Sequence, residues 1–220
     1  MKLIVFDVDG TLVDSQHFIV EAQKRAFAAH DLVAPERERM LSIVGLSLVQ
    51  AFVELVGPDG PVESLAQSYR DAWQVMRLDP EFADPLYPGA AEAIAALGLR
   101  EDAILGVATG KSKRGVDHLF HEQGWQNRFA TVQTADGHPS KPHPSMILAA
   151  LAETGTEPAD AVMIGDTSFD MAMGKSAGVR TIGVGWGYHP RERLLASGAE
   201  RIVESFDELT AVLASGACWC

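Results

Sequence analysis

The chain has only two cysteines in 220 residues, Cys218 and Cys220, which flank Trp219 at its very end. They lie too close together and too near the terminus to staple a fold, and two thiolates fall short of a tetrahedral metal set. Neither a disulfide framework nor a structural zinc module is expected. Long hydrophobic runs are missing too: the first apolar run, Leu3 to Phe6, is cut short by Asp7 and Asp9, far below the length of a signal-peptide core or a membrane span. The expectation is a cytoplasmic protein with no membrane partner. Basic residues are few, 18 Lys and Arg against 30 Asp and Glu, giving a formal net charge of -12. That field repels the phosphate backbone of nucleic acid, so no nucleic-acid partner is expected. It repels a phosphorylated metabolite as well, so any phosphate site must be made locally positive by a metal ion or a few placed cations.

What is present is ordinary globular material, 47% hydrophobic, enough to bury a proper core. Five short runs rich in Val and Ile read as buried parallel strands: Leu3 to Phe6, Ile104 to Ala108, Phe129 to Gln133, Ala161 to Ile164 and Thr181 to Val184. Helical patterns such as Ser112 to Gln123 and Pro144 to Glu153 alternate with them. Alternation of this kind predicts an α/β fold, a doubly wound parallel sheet with a Rossmann-like core, whose ligands belong at the strands' carboxyl ends. The gap between the first two strands is too long for one crossover helix. Within it, Phe18, Ile19, Ala22, Ala26 and Phe27 recur at helical spacing, as do Leu48, Phe52, Leu55 and Val56, then Leu65, Tyr69, Ala72 and Met76. The reading is a small helical cap domain over residues 15–84, inserted in an α/β core of residues 1–14 and 85–220, with Pro85, Pro88 and Gly89 marking the return.

Four polar motifs follow the strands in order. The first strand runs into Asp7-Val8-Asp9-Gly10-Thr11, two carboxylates whose burial calls for a cation. The second ends in Thr109-Gly110-Lys111, where a hydroxyl, a flexible backbone and a helix N-terminus can hold phosphate oxygens. Lys141, in Lys141-Pro142-His143-Pro144, can serve as a fixed charge for phosphate. The fourth strand ends in Gly165-Asp166-Thr167-Ser168-Phe169-Asp170, oxygen donors suited to Mg²⁺. Each motif alone also fits an acidic turn, a helix cap or a surface lysine; the four together, all at strand ends, point to phosphoryl chemistry.

With these motifs the chain resembles the haloacid dehalogenase superfamily from Phe6 to Val203. The helical insert, Gly110-Lys111-Ser112-Lys113-Arg114-Gly115 and Gly185-Trp186-Gly187-Tyr188 resemble its phosphoglycolate phosphatase-like members. The resemblance implies a Mg²⁺-dependent phosphatase acting on a small phosphorylated metabolite. It implies Asp7 as nucleophile and metal ligand, and Asp9 as general acid and base that offers its backbone carbonyl to the metal. Asp166 completes the metal site with Asp170 nearby, while Thr109, Gly110 and Lys141 hold the phosphoryl group. The four motifs show no departure from the family pattern.

Three neighbouring readings compete. Dehalogenase members lack the second aspartate, so Asp9 argues for phosphate chemistry. Phosphomutase members share every motif and differ in the cap, which leaves that activity as the alternative enzyme. A phospho-accepting receiver module, the alternative outside enzymes, is about one small domain and has no long insert after the first strand. Lys24, the lone lysine of the expected cap, has no surroundings that mark it as a Schiff-base residue. Candidates for substrate recognition are the loop of Val44, Gly45 and Leu46, with Arg70 and Arg77.

Overall fold

The computed structural model describes residues 1–82 and 84–215. Cys218 and Cys220 lie outside the described residues. Six strands form one parallel sheet: β1 (Lys2–Phe6), β2 (Ala103–Thr109), β3 (Thr131–Thr134), β4 (Ala161–Gly165), β5 (Arg180–Val184) and β6 (Arg201–Val203). Their order is β3-β2-β1-β4-β5-β6. The chain therefore winds outward from β1 in one direction, then returns to β1's other side, and β1 and β4 flank the switch point where such sheets place ligands.

β1 is buried on both faces, and its side chains divide with period two. Ile4 and Phe6 join one core cluster, Leu3 and Val5 the other. Helices α5 (Ala90–Leu97), α6 (Lys113–Gln123) and α10 (Phe206–Ala214) supply Ile94, Leu119 and Leu209 to the first face. On the second face α7 (Ser145–Thr154) and α8 (Ser168–Ser176) supply Ile147 and Met173. A central strand covered this way reads as a continuous apolar run.

Between β1 and α5 lie α1 (Gln16–Ala28), α2 (Arg37–Leu41), α3 (Leu48–Val56) and α4 (Val62–Met76). This helical insert has its own apolar clusters, one around Phe27, Phe52 and Leu65 and another around Phe18 and Met76. Its two connections run side by side: the Asp14 N–H donates to the Pro85 carbonyl at 2.8 Å, and Val13 bridges Leu86 antiparallel. The remaining helix, α9 (Arg191–Ala196), covers β5 and β6. No helix among the described residues is long and apolar enough to cross a membrane.

Two details differ from the sequence reading. The third strand begins at Thr131, because Phe129 is drawn away to stack on Phe120, with ring centroids 4.9 Å apart. β6 was not foreseen; three residues are too few to show a period.

Candidate active site

Asp7 follows the last residue of β1, and its N–H donates to the Ile164 carbonyl of β4 at 2.9 Å, which fixes it at the switch point. Its carboxylate is buried, and neither oxygen has a hydrogen-bond partner. Lys141 Nζ stands 3.0 Å from Asp7 Oδ1 as an ion pair and donates to Asp170 Oδ1 at 2.6 Å. Asp166, just after β4, accepts from the Thr11 hydroxyl at 2.9 Å and from the Tyr188 N–H at 2.9 Å. Asp170 also closes a capping box at the start of α8, where its Oδ2 accepts from the Thr167 N–H and hydroxyl. Helix cap and site member are thus one residue.

Asp7, Asp166 and Asp170 bring carboxylate oxygens within 4.8 Å of one another, all buried. Against these three acids stands Lys141, itself fully buried. Burial pushes the Asp7 carboxyl up to about 7, opposed by Lys141 and reinforced by Asp170 and Asp9. Asp166 is raised well above the ordinary carboxylate range, first by burial and then by Asp170 and Asp7. Uncompensated carboxylates this deep are costly, and a hard cation is the partner their oxygens fit. Buried Asp7 Oδ2, which no side-chain hydrogen bond satisfies, points the same way.

Asp9 belongs to a separate network. Its Oδ1 accepts from Ser15 Oγ at 2.7 Å and from Lys111 Nζ at 2.8 Å. Ser15 Oγ also bonds the Tyr188 hydroxyl at 3.0 Å, and Lys111 lies 4.0 Å from Asp84 on the returning segment of the insert. Burial pushes the Asp84 carboxyl up to about 7 against the pull of Lys111. Two neighbouring aspartates therefore have different surroundings. Gly10, between Asp9 and Thr11, has φ +85, and a Cβ there would collide with the Asp166 carboxylate, so the turn admits only glycine.

At the end of β2, Thr109 is buried and its hydroxyl accepts from the Lys111 N–H at 3.2 Å. Gly110 has a steric role as well: a Cβ there would stand 2.6 Å from the carbonyls of Gly45 and Leu46 in the insert. The insert meets the core at two more points. Ser47 N–H donates to Ser140 Oγ at 2.8 Å. His189 Nδ1 accepts from the Ser168 N–H at 2.9 Å, which leaves the proton on Nε2 for the Ser42 carbonyl at 3.0 Å. Burial, with Arg193, pulls His189 down to about 4, consistent with this neutral bridge.

Between insert and core lies a cavity of about 540 Å³. Asp7, Asp9, Thr109, Gly110 and Lys111 line its core side; Val44, Gly45, Leu46 and Arg70 line the insert side. Lys141, Asp166 and Asp170 are not among its lining residues, although Lys141 and Asp170 are tied to each other and Lys141 to Asp7. Arg77, a sequence candidate for recognition, belongs instead to a separate small cavity of about 50 Å³ and stacks over Trp73 at 5.3 Å. Lys111, Ser15, Thr11, Tyr188 and Asp84 were not singled out as site residues in the sequence. Lys111 stands within the motif after the second strand, but its partners Asp9 and Asp84 are distant in the chain.

Residues 4–184 match the family model of haloacid dehalogenase-like hydrolases. The probable phosphatase IndB of Dickeya dadantii is 34% identical over 94% of this chain and 91% of its own length. The N-acetylmuramic acid 6-phosphate phosphatase of Pseudomonas aeruginosa is 31% identical over 100% of this chain and 98% of its own. A hydrolase structure from Pseudomonas syringae superposes with a TM-score of 0.85 at 24% identity, covering 98% of this chain and 99% of that one, and shares the fold.

Proposed function

The chain belongs to the haloacid dehalogenase-like hydrolases and is a phosphatase, and we propose that it hydrolyses a phosphate monoester of a small metabolite through a phosphoaspartate on Asp7, with Mg²⁺ as cofactor. The observation that carries this reading is the buried Asp7 carboxylate, paired with Lys141 and lining a cavity large enough for a metabolite. Asp7, Asp166 and Asp170 would hold Mg²⁺, with the backbone carbonyl of Asp9. When bound, the ion neutralises carboxylate and phosphate so that one anion can approach the other.

The protein's own residues would divide the rest. An Asp7 oxygen attacks phosphorus, the bond from phosphorus to the substrate's ester oxygen breaks, and Asp9 gives the leaving oxygen its proton. Asp9 then takes a proton from water, whose oxygen attacks the phosphoaspartate, releasing inorganic phosphate and restoring Asp7. Thr109, Gly110 and Lys141 would position and neutralise the transferring group. The helical insert, over roughly residues 15–84, is the cap that excludes water and selects the substrate. Sequence resemblance favours phosphoglycolate-like substrates; the muramic acid phosphatase relative favours a sugar acid phosphate.

Phosphate release from p-nitrophenyl phosphate, with and without chelator, tests the metal assignment. Activity should vanish in chelator and return on adding Mg²⁺. Full turnover in chelator would refute it.

A further inference from the structure

Resting on the reading of this site as a phosphatase, we propose that the substrate's alcohol part is a bulky, partly apolar body bearing a second anionic group, a carboxylate, held at the cavity mouth between Arg70 and Arg114. The cavity of about 540 Å³ falls within the range of about 300–1,000 Å³ that suits drug-sized ligands. A two-carbon ester such as phosphoglycolate would leave most of its walls untouched. Part of those walls is apolar: Ile43, Leu46, Leu48 and Phe52 of the insert face the same space as Asp7 and Asp9. Such a stretch gains about 25 cal/mol per Å² from apolar burial, which a wholly polar substrate body would forgo.

The mouth is different. Gln67, Arg70 and Gln74 are spaced i, i+3, i+7 on α4, so one exposed helix face turns polar groups to the cavity. Arg114 of α6 lines the same cavity and stacks over Trp73 of α4 with its guanidinium carbon 5.6 Å from the ring centroid. Neither arginine makes an ion pair among the described residues; the hydrogen bond of Arg70 is a long one, 3.4 Å, to Gln67. Two guanidinium forks lining one cavity, neither in an ion pair among the described residues, fit a carboxylate, which such a fork can bind bidentately. A net charge of -12 makes such local cations necessary for a substrate with an anion at each end.

A matched pair of esters, 4-carboxyphenyl phosphate and 4-carbamoylphenyl phosphate, isolates the charge at constant size. With Mg²⁺ and the full chain, kcat/KM should favour the carboxylate by about tenfold or more, the worth of a charged hydrogen-bonded contact. In the double variant Arg70→Gln, Arg114→Gln that ratio should collapse toward one, chiefly through KM. A ratio near one in the unaltered protein, or one unchanged in the variant, would overturn the anion subsite. Phosphoglycolate turned over more efficiently than 4-carboxyphenyl phosphate would overturn the bulky body. Failure to hydrolyse any ester, p-nitrophenyl phosphate included, would instead strike the phosphatase reading itself.

Discussion

Lys111 joins the Asp9 carboxylate to Asp84, and both acids depend on it for a counter-charge. Lys111→Met keeps the length of the side chain and removes the charge. Asp9 then loses a hydrogen bond that fixes its orientation, and with it part of the roughly hundredfold to ten-thousandfold that a positioned acid contributes. The expected outcome is a fall in kcat/KM, which reports the first step alone, of about tenfold or more with alkyl phosphates and a smaller one with p-nitrophenyl phosphate, whose leaving group needs no proton. Equal losses on both esters would mean that Lys111 does not act through Asp9. The carboxylates at the strand ends were legible in the sequence because each directly follows an apolar run. The Lys111 contact was not, since 102 positions separate it from Asp9 and tertiary structure alone joins them. Arg77 shows the reverse case: as an arginine of the insert able to pair with a carboxylate it was a candidate, but it lines another cavity.

Helices α1 to α4 form an element with its own apolar clusters, and the strands of the sheet draw their core from α5, α6, α7, α8 and α10. Its two connections adjoin at Asp14 and Pro85, so a short linker can close the gap. Replacing residues 15–84 by such a linker should leave a folded sheet that hydrolyses activated esters poorly and without preference. Circular dichroism and an ester panel measure both; native selectivity in the shortened protein would locate specificity elsewhere. The insert's existence was readable from the length of the gap after β1 and its three helical periods. Its hold on the core was not: Gly110 is packed under the carbonyls of Gly45 and Leu46, and His189 bridges Ser168 to Ser42, contacts with no local signature.

At the scale of the whole molecule, the sheet assembles more buried acid than Lys141 balances. With Asp7 held at about 7 against an ordinary 3.8, the metal-free fold takes up a proton that the unfolded chain gives away. That contribution to stability is complete below 3.8 and is lost as the pH rises to about 7; Asp84, also about 7, acts in the same direction. A bound cation must displace the proton, so the rise in Tm on adding Mg²⁺ should be larger at pH 8 than at pH 6. An equal rise at both would contradict the account of the carboxylate cluster. A doubly wound parallel sheet was implied by the alternation of strands and helices, but its strand order was not, and the crowding of Asp7, Asp166 and Asp170 exists only once β1 and β4 pair.

The central claim, a phosphoryl group carried by Asp7, is tested most directly on Asp9→Asn. This variant keeps the nucleophile and lacks the base that activates water for the second step. Mixed with Mg²⁺ and p-nitrophenyl phosphate, quenched in acid and weighed by mass spectrometry, it should carry one added phosphoryl group that maps to Asp7. The double variant Asp7→Asn, Asp9→Asn should carry none. A phosphoryl group on the double variant, or turnover by the unaltered protein with no covalent phosphate on Asp7 in either form, would contradict the account.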